Sequence, residues 1–89
     1  MTAVRLEVTY EDGLPSVAYL YLPRNKNERS DRCVEVEPDM VLDVTNDGKL
    51  IGIEILSPEL VTLEGINAVL EQYGLAPLEE KELRPLFVA

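Results

Sequence analysis

At 89 residues the chain has room for one domain with a modest core, and little for a deep cavity lined by an elaborate active site. Seventeen Asp and Glu against eight Lys and Arg give a formal net charge of −9. That balance disfavours nonspecific attraction to nucleic-acid phosphates or anionic membranes, and makes a basic protein the better electrostatic partner. A single cysteine, Cys33, excludes an internal disulfide and leaves no cluster for zinc, and the absence of histidine removes Ser-His-Asp and Cys-His catalysis.

From the start of the chain, Val4, Leu6, Val8 and Tyr10 alternate with Arg5, Glu7 and Thr9, the period-two pattern of a strand with one wet face. The stretch MTAVRLEVTY lacks the continuous apolar core of a signal peptide, and no apolar run approaches the roughly 18 residues of a membrane span. A cytoplasmic protein that does not enter a membrane is expected. Asp12-Gly13-Leu14-Pro15 interrupts the first strand. Val17 to Leu22 then has strand composition with apolar residues on both faces, which predicts a central strand or one lying beside a partner chain.

Arg24 to Arg32 is polar and carries four of the eight basic residues, Arg24, Lys26, Arg29 and Arg32. It reads as a mobile, solvated loop, a local exception to the acidic balance that does not amount to a nucleic-acid site. Cys33 to Glu37 alternates again, with Val34 and Val36 inward. Glu37-Pro38-Asp39 reads as a tight turn into Met40. Asp47-Gly48, flanked by apolar-rich runs, is the signature of a two-residue type I′ hairpin, whose central positions both need positive φ. That loop pairs Val44 with Ile51, Leu42 with Ile53 and Met40 with Ile55 on a core face. It leaves Val41, Asp43 and Thr45 opposite Leu50, Gly52 and Glu54 on the other face.

Ser57-Pro58 marks a helical start, with Thr62 as a second possible cap. Leu63, Ile66, Val69, Leu70 and Tyr73 form one helical stripe, closed by Gly74 as a left-handed C-terminal cap. Pro77 opens a short helix through about Arg84. The apolar end, Leu86 to Ala89, is expected to dock on its own chain or a neighbour, because exposing such side chains forfeits about 1.5–3 kcal/mol each. The fold expected is therefore α+β: a five-stranded antiparallel β-meander over residues 1–56, and one covering helix with a short C-terminal helix over residues 57–89, together a single domain.

Asp43-Val44-Thr45-Asn46-Asp47-Gly48, with Glu54 in twelfth place, matches the spacing of a calcium-binding EF-hand loop except at Thr45. The flanks alternate as strands where an EF-hand needs helices, so hairpin chemistry is the expected reading. Asp43 and Glu54 nevertheless fall on one sheet face near Gly52. With Asp47 they are the candidate ligands of an alternative reading, a small divalent-metal-dependent protein. Tyr19 and Tyr21 share a strand face and, with Phe87, are the candidate interaction residues; without basic neighbours a base-stacking role is the poorer reading. Cys33 has no base beside it in sequence, and no Gly-rich phosphate loop is present. No catalytic set and no cofactor are expected.

The hairpin residues Asp43, Asp47-Gly48, Leu50 and Gly52-Ile53-Glu54-Ile55 resemble the bacterial family called domain of unknown function 2283. So do Ala18-Tyr19-Leu20-Tyr21-Leu22 and Val34-Glu35-Val36, and the resemblance spans roughly Tyr10 to Leu56. It departs where Tyr10-Glu11-Asp12 is followed by Gly-Leu-Pro, in the Arg24–Arg32 loop, and in the long segment after Ser57. The resemblance implies a small β-meander without established catalytic activity, and a partner-binding or antitoxin-like role. Charge and surplus apolar surface point the same way, to a protein-interaction module, expected as a homodimer that also meets a basic protein.

Overall fold

A computed structural model describes residues 4–87 of the chain. Five antiparallel strands, β1 (Arg5–Glu11), β2 (Leu14–Tyr21), β3 (Arg32–Val36), β4 (Met40–Val44) and β5 (Leu50–Ile55), form one sheet. Its order, β1-β2-β5-β4-β3, corrects the expected meander. After β2 the chain crosses to the far edge, and β4 and β5 return so that β5 lies between β4 and β2. The composition of the strands explains the order. β5, LIGIEI, is buried at every position but Glu54 and takes the middle, while β1 and β3 carry exposed alternate residues and form the edges. The two-faced strand β2 lies inside the sheet, as one of the two readings of its composition required.

One face of the sheet makes the core. Leu20, Leu42, Val44, Ile53 and Ile55 are essentially inaccessible, and they join Met40, Leu50 and Ala18 in one cluster with residues of the C-terminal segment. The cover is α1 (Leu63–Gln72), flanked by 3₁₀ turns at Pro58–Leu60, Glu80–Glu82 and Arg84–Phe87. Thr62 caps α1, its Oγ1 accepting from the Gly65 amide at 3.0 Å. The Gly74 amide bonds to the Glu71 carbonyl and the Leu75 amide to the Leu70 carbonyl, with Gly74 at φ +73°, the double closure of a Schellman end. Between these ends Ile66, Val69 and Leu70 are buried against the sheet, each contributing about 1.5–3 kcal/mol of burial. No helix of the described residues is long and apolar enough to cross a membrane.

Two expectations about the C-terminal segment change. Ser57 makes no capping bond; its hydroxyl donates to Asp39 at 2.6 Å, and Pro58 opens a 3₁₀ turn. The helix expected from Pro77 to Arg84 is absent, replaced by extended chain and two 3₁₀ turns. Asn67 on α1 accepts from the Leu78 amide at 2.8 Å and donates to the Leu78 carbonyl at 3.1 Å, engaging backbone groups a helix would use. Leu78, Leu83 and Leu86 are then buried from this irregular segment. Leu86 docks on its own core and Phe87 packs beside it; Val88 and Ala89 lie outside the described residues.

The two Asp-Gly hairpins also differ from expectation. Asp12 and Gly13 both have positive φ, 52° and 81°, and join Glu11 to Leu14, so the two-residue primed turn sits between β1 and β2. In the β4–β5 hairpin only Gly48 has positive φ, 85°. Thr45 and Lys49 close that loop through the Thr45 amide and the Lys49 carbonyl at 2.9 Å and the Lys49 amide and Thr45 Oγ1 at 3.1 Å. Asn46-Asp47-Gly48 is therefore a three-residue loop. The odd residue moves the register: Met40 pairs with Ile55 and Leu42 with Ile53 as expected, but Val44 pairs with Leu50, and a bulge at Ile51 absorbs the shift. Leu50 consequently faces the core cluster with Val44.

Candidate functional site

The face of the sheet away from α1 carries no second helix or strand layer among the described residues, and the loop before β3 reaches one end of it through Ser30. Register aligns two rows across all five strands on this open face. One reads Arg5, Tyr21, Gly52, Asp43, Cys33, and the other Glu7, Tyr19, Glu54, Val41, Glu35. The alternation that buries Leu20 and Ile53 sends Tyr19, Tyr21 and Glu54 outward, so core and open face come from one pattern.

Around Tyr19 and Tyr21 the polar groups satisfy one another. The rings lie 4.6 Å apart between centroids, tilted by 51°. Arg5 stacks 4.0 Å over the Tyr21 ring and pairs with Glu7 at 2.6 Å, while the Tyr21 hydroxyl donates to Glu7 at 3.0 Å. Tyr19 lies across Gly52, where an added Cβ would come within 2.7 Å of the ring Cε1 and nearer still to the hydroxyl end. Missing side-chain bulk at Gly52 thus lets Tyr19 reach over β5 and donate its hydroxyl to Asp43. The other Asp43 oxygen accepts from Ser30 Oγ at 3.2 Å and from Cys33 Sγ at 3.3 Å. Burial first, then the hydrogen bond to Asp43, pushes the Tyr19 hydroxyl well above the usual tyrosine range. The same carboxylate, then desolvation, raises the Cys33 thiol. Cys33 is exposed but held in its unreactive protonated form.

The other half of the face is different. Val41 and Leu56 floor a cleft of about 410 Å³ beside the β3–β4 turn, rimmed by Glu35, Glu37 and Asp39. Glu54 is the register partner of Val41. Leu56 is 41% exposed, and Val17, on the neighbouring strand, 38%. Among the described residues no Lys or Arg forms an ion pair with Glu35, Glu37, Asp39 or Glu54; the three pairs present are Arg5–Glu7, Lys49–Glu28 and Lys81–Glu79.

The metal candidates take separate places. Asp43 is engaged by Tyr19, Ser30 and Cys33, Glu54 is exposed on β5, and Asp47 sits in the hairpin loop. Among the described residues no three His, Cys, Asp or Glu side chains are grouped to hold a metal ion. Tyr19 and Tyr21 are brought together on the open face, whereas Phe87 packs on the core side. Ser30, Cys33, Arg5 and Glu7 were missing from the sequence-derived site. Extending the register to the β1–β2 and β3–β4 pairs would have found the last three, because it puts Cys33 opposite Asp43, Arg5 opposite Tyr21 and Glu7 opposite Tyr19.

These features define a small α+β domain, a five-stranded antiparallel sheet with one covered and one open face. Residues 17–57 match the model of the family described as Protein of unknown function (DUF2283). The match runs from β2 through β5 and includes Tyr19, Tyr21, Asp43, Gly52 and Glu54, while β1 and α1 lie outside it. No curated protein and no solved structure matches the chain.

Proposed function

We propose that the protein is an interaction module whose open sheet face binds a positively charged polypeptide. The observation that carries this reading is the asymmetry of the sheet: one face is closed by α1 and the 3₁₀ turns, the other presents Tyr19, Tyr21, Val17, Val41 and Leu56 among carboxylates. Half-exposed aromatic and aliphatic side chains in a polar surround are the composition of a binding patch. The charge of −9 favours a basic partner and accelerates its encounter. A second copy fits this face less well, because pairing it with itself would set Glu35, Glu54 and Asp43 against like charges. An antitoxin-like role is the form of this reading in which the partner is a small basic toxin.

Fluorescence polarisation with labelled octa-arginine at physiological ionic strength tests the proposal. The double substitution Glu7→Arg with Glu54→Arg, on the open face, is compared with Glu64→Arg and Glu71→Arg, on α1, which changes net charge equally. The face variant is expected to weaken binding by tenfold or more, on the order of 1.4 kcal/mol, and the helix variant far less. Equal losses would mean that only overall charge is being read, and would overturn the assignment to the sheet face.

A further inference from the structure

The two halves of the open face differ in what their carboxylates already do, and we infer from this that the partner's basic side chain docks in the cleft between the β3–β4 turn and Leu56. This inference rests on the interaction reading above and locates its centre. At the tyrosine end Glu7 is held by Arg5 and the Tyr21 hydroxyl, and Asp43 by Tyr19, Ser30 and Cys33. A partner cation arriving there would have to displace bonds already formed. Arg5 itself lies over Tyr21, filling the position an incoming guanidinium would take.

At the other end the groups are present without internal cations. Glu35 and Glu37 rim the cleft, with Glu54 beside Val41, and none of the three has a Lys or Arg partner among the described residues. Asp39 accepts from Ser57 and keeps its second oxygen for a ligand. The floor, Val41 and Leu56, is apolar, and exposed Leu56 gains by being covered. An arginine or lysine side chain matches both features, since its aliphatic stem lies along apolar surface while the charged head reaches acceptors at the rim. The space, about 410 Å³, accommodates one such side chain with flanking backbone. The occupant is therefore an arginine or lysine side chain carried by a polypeptide.

The same octa-arginine titration, repeated on variants within the face, tests the location. Glu35→Gln with Glu54→Gln should weaken binding about tenfold or more, as expected for loss of charge-assisted bonds. Leu56→Ser, which leaves charge untouched, should weaken it about threefold by removing the floor beneath the stem. Glu7→Gln with Asp43→Asn should cost less than the cleft pair. The helix pair Glu64→Gln with Glu71→Gln is the control for net charge. If the tyrosine-end pair loses most and the cleft pair behaves like the helix control, the cleft assignment is overturned while the open face stands as the interaction surface. If all pairs lose equally, both readings fall.

Discussion

On the covered face, Leu20, Leu42, Ile53 and Ile55 are shut from solvent by α1 and the C-terminal turns. On the open face the same strands present Tyr19, Asp43, Glu54 and Val41, with Ser30 of the loop before β3 reaching Asp43. Both follow from one two-residue alternation, yet what holds each together differs in kind. The covered face is stabilised by apolar area removed from water. The open face is stabilised where polar groups answer one another, and among the described residues its carboxylates at the cleft have no Lys or Arg partner. If the open face binds as proposed, stability and recognition are separated by the thickness of a single sheet, and substitutions on the two faces should act on different observables.

The largest effect should come from the covered face. Ile53→Ala leaves a cavity at the centre of β5 and should lower the unfolding free energy by about 3–4 kcal/mol in urea denaturation. Val17→Ala on the open face should lower it by less than about 1 kcal/mol. A comparable loss from both would erase the contrast.

Gly52→Val is the open-face substitution expected to behave like a core lesion. Its branched side chain would occupy the volume held by the Tyr19 ring, with an expected loss of about 2–3 kcal/mol from overpacking. Adding Tyr19→Ala should recover part of that loss. A strictly additive double variant would show that the ring over Gly52 is not the cause.

Asp43→Asn should follow, at about 1–2 kcal/mol, since it weakens three hydrogen bonds meeting at one carboxylate. It also has a chemical readout. Asp43 holds the Cys33 thiol above its ordinary range, so the thiolate fraction at a given pH is small. The variant should be alkylated faster by iodoacetamide at pH 8, and an unchanged rate would remove Asp43 as the cause.

A smaller effect is expected at alkaline pH. The folded protein raises the Tyr19 hydroxyl, so it retains that proton more firmly than the unfolded chain does. The stability this provides is fully present below the unfolded value of about 10, and is lost as pH rises towards the folded value. Tyr19→Phe should therefore show a shallower fall in urea midpoint above pH about 10 than the parent. The smallest change is expected at the cleft: Glu35→Gln should shift stability by less than about 0.5 kcal/mol, while weakening octa-arginine binding.

Much of the fold was legible because its signals are local. Alternation gave five strands, Gly74 and the second of two candidate caps, Thr62, bounded the helix, and the stripe from Leu63 to Tyr73 gave its buried side. Strand order was not legible, because nothing in Arg24–Arg32 says whether the chain turns back or crosses the sheet. The hairpin register failed at one point for a related reason: Asp47-Gly48 and Asp12-Gly13 are the same dipeptide, but the Thr45–Lys49 closure turns one into a three-residue loop. Loss of the C-terminal helix came from Asn67, eleven residues from the Leu78 it bonds. Of the site, Tyr19, Tyr21, Asp43 and Glu54 could be placed on one face from alternation and hairpin register. Their division into a half whose carboxylates have internal partners and a half without cations needed the neighbours Arg5, Glu7 and Cys33, set by the β1–β2 and β3–β4 registers, and Ser30, set by the loop before β3.

The most direct measurement is an amide chemical-shift map of the uniformly labelled protein with saturating octa-arginine. The account predicts that the largest perturbations fall on Glu35, Val41, Glu54 and Leu56, with α1 unmoved. Perturbations centred on Leu63 to Gln72, or spread evenly over every acidic residue, would contradict it.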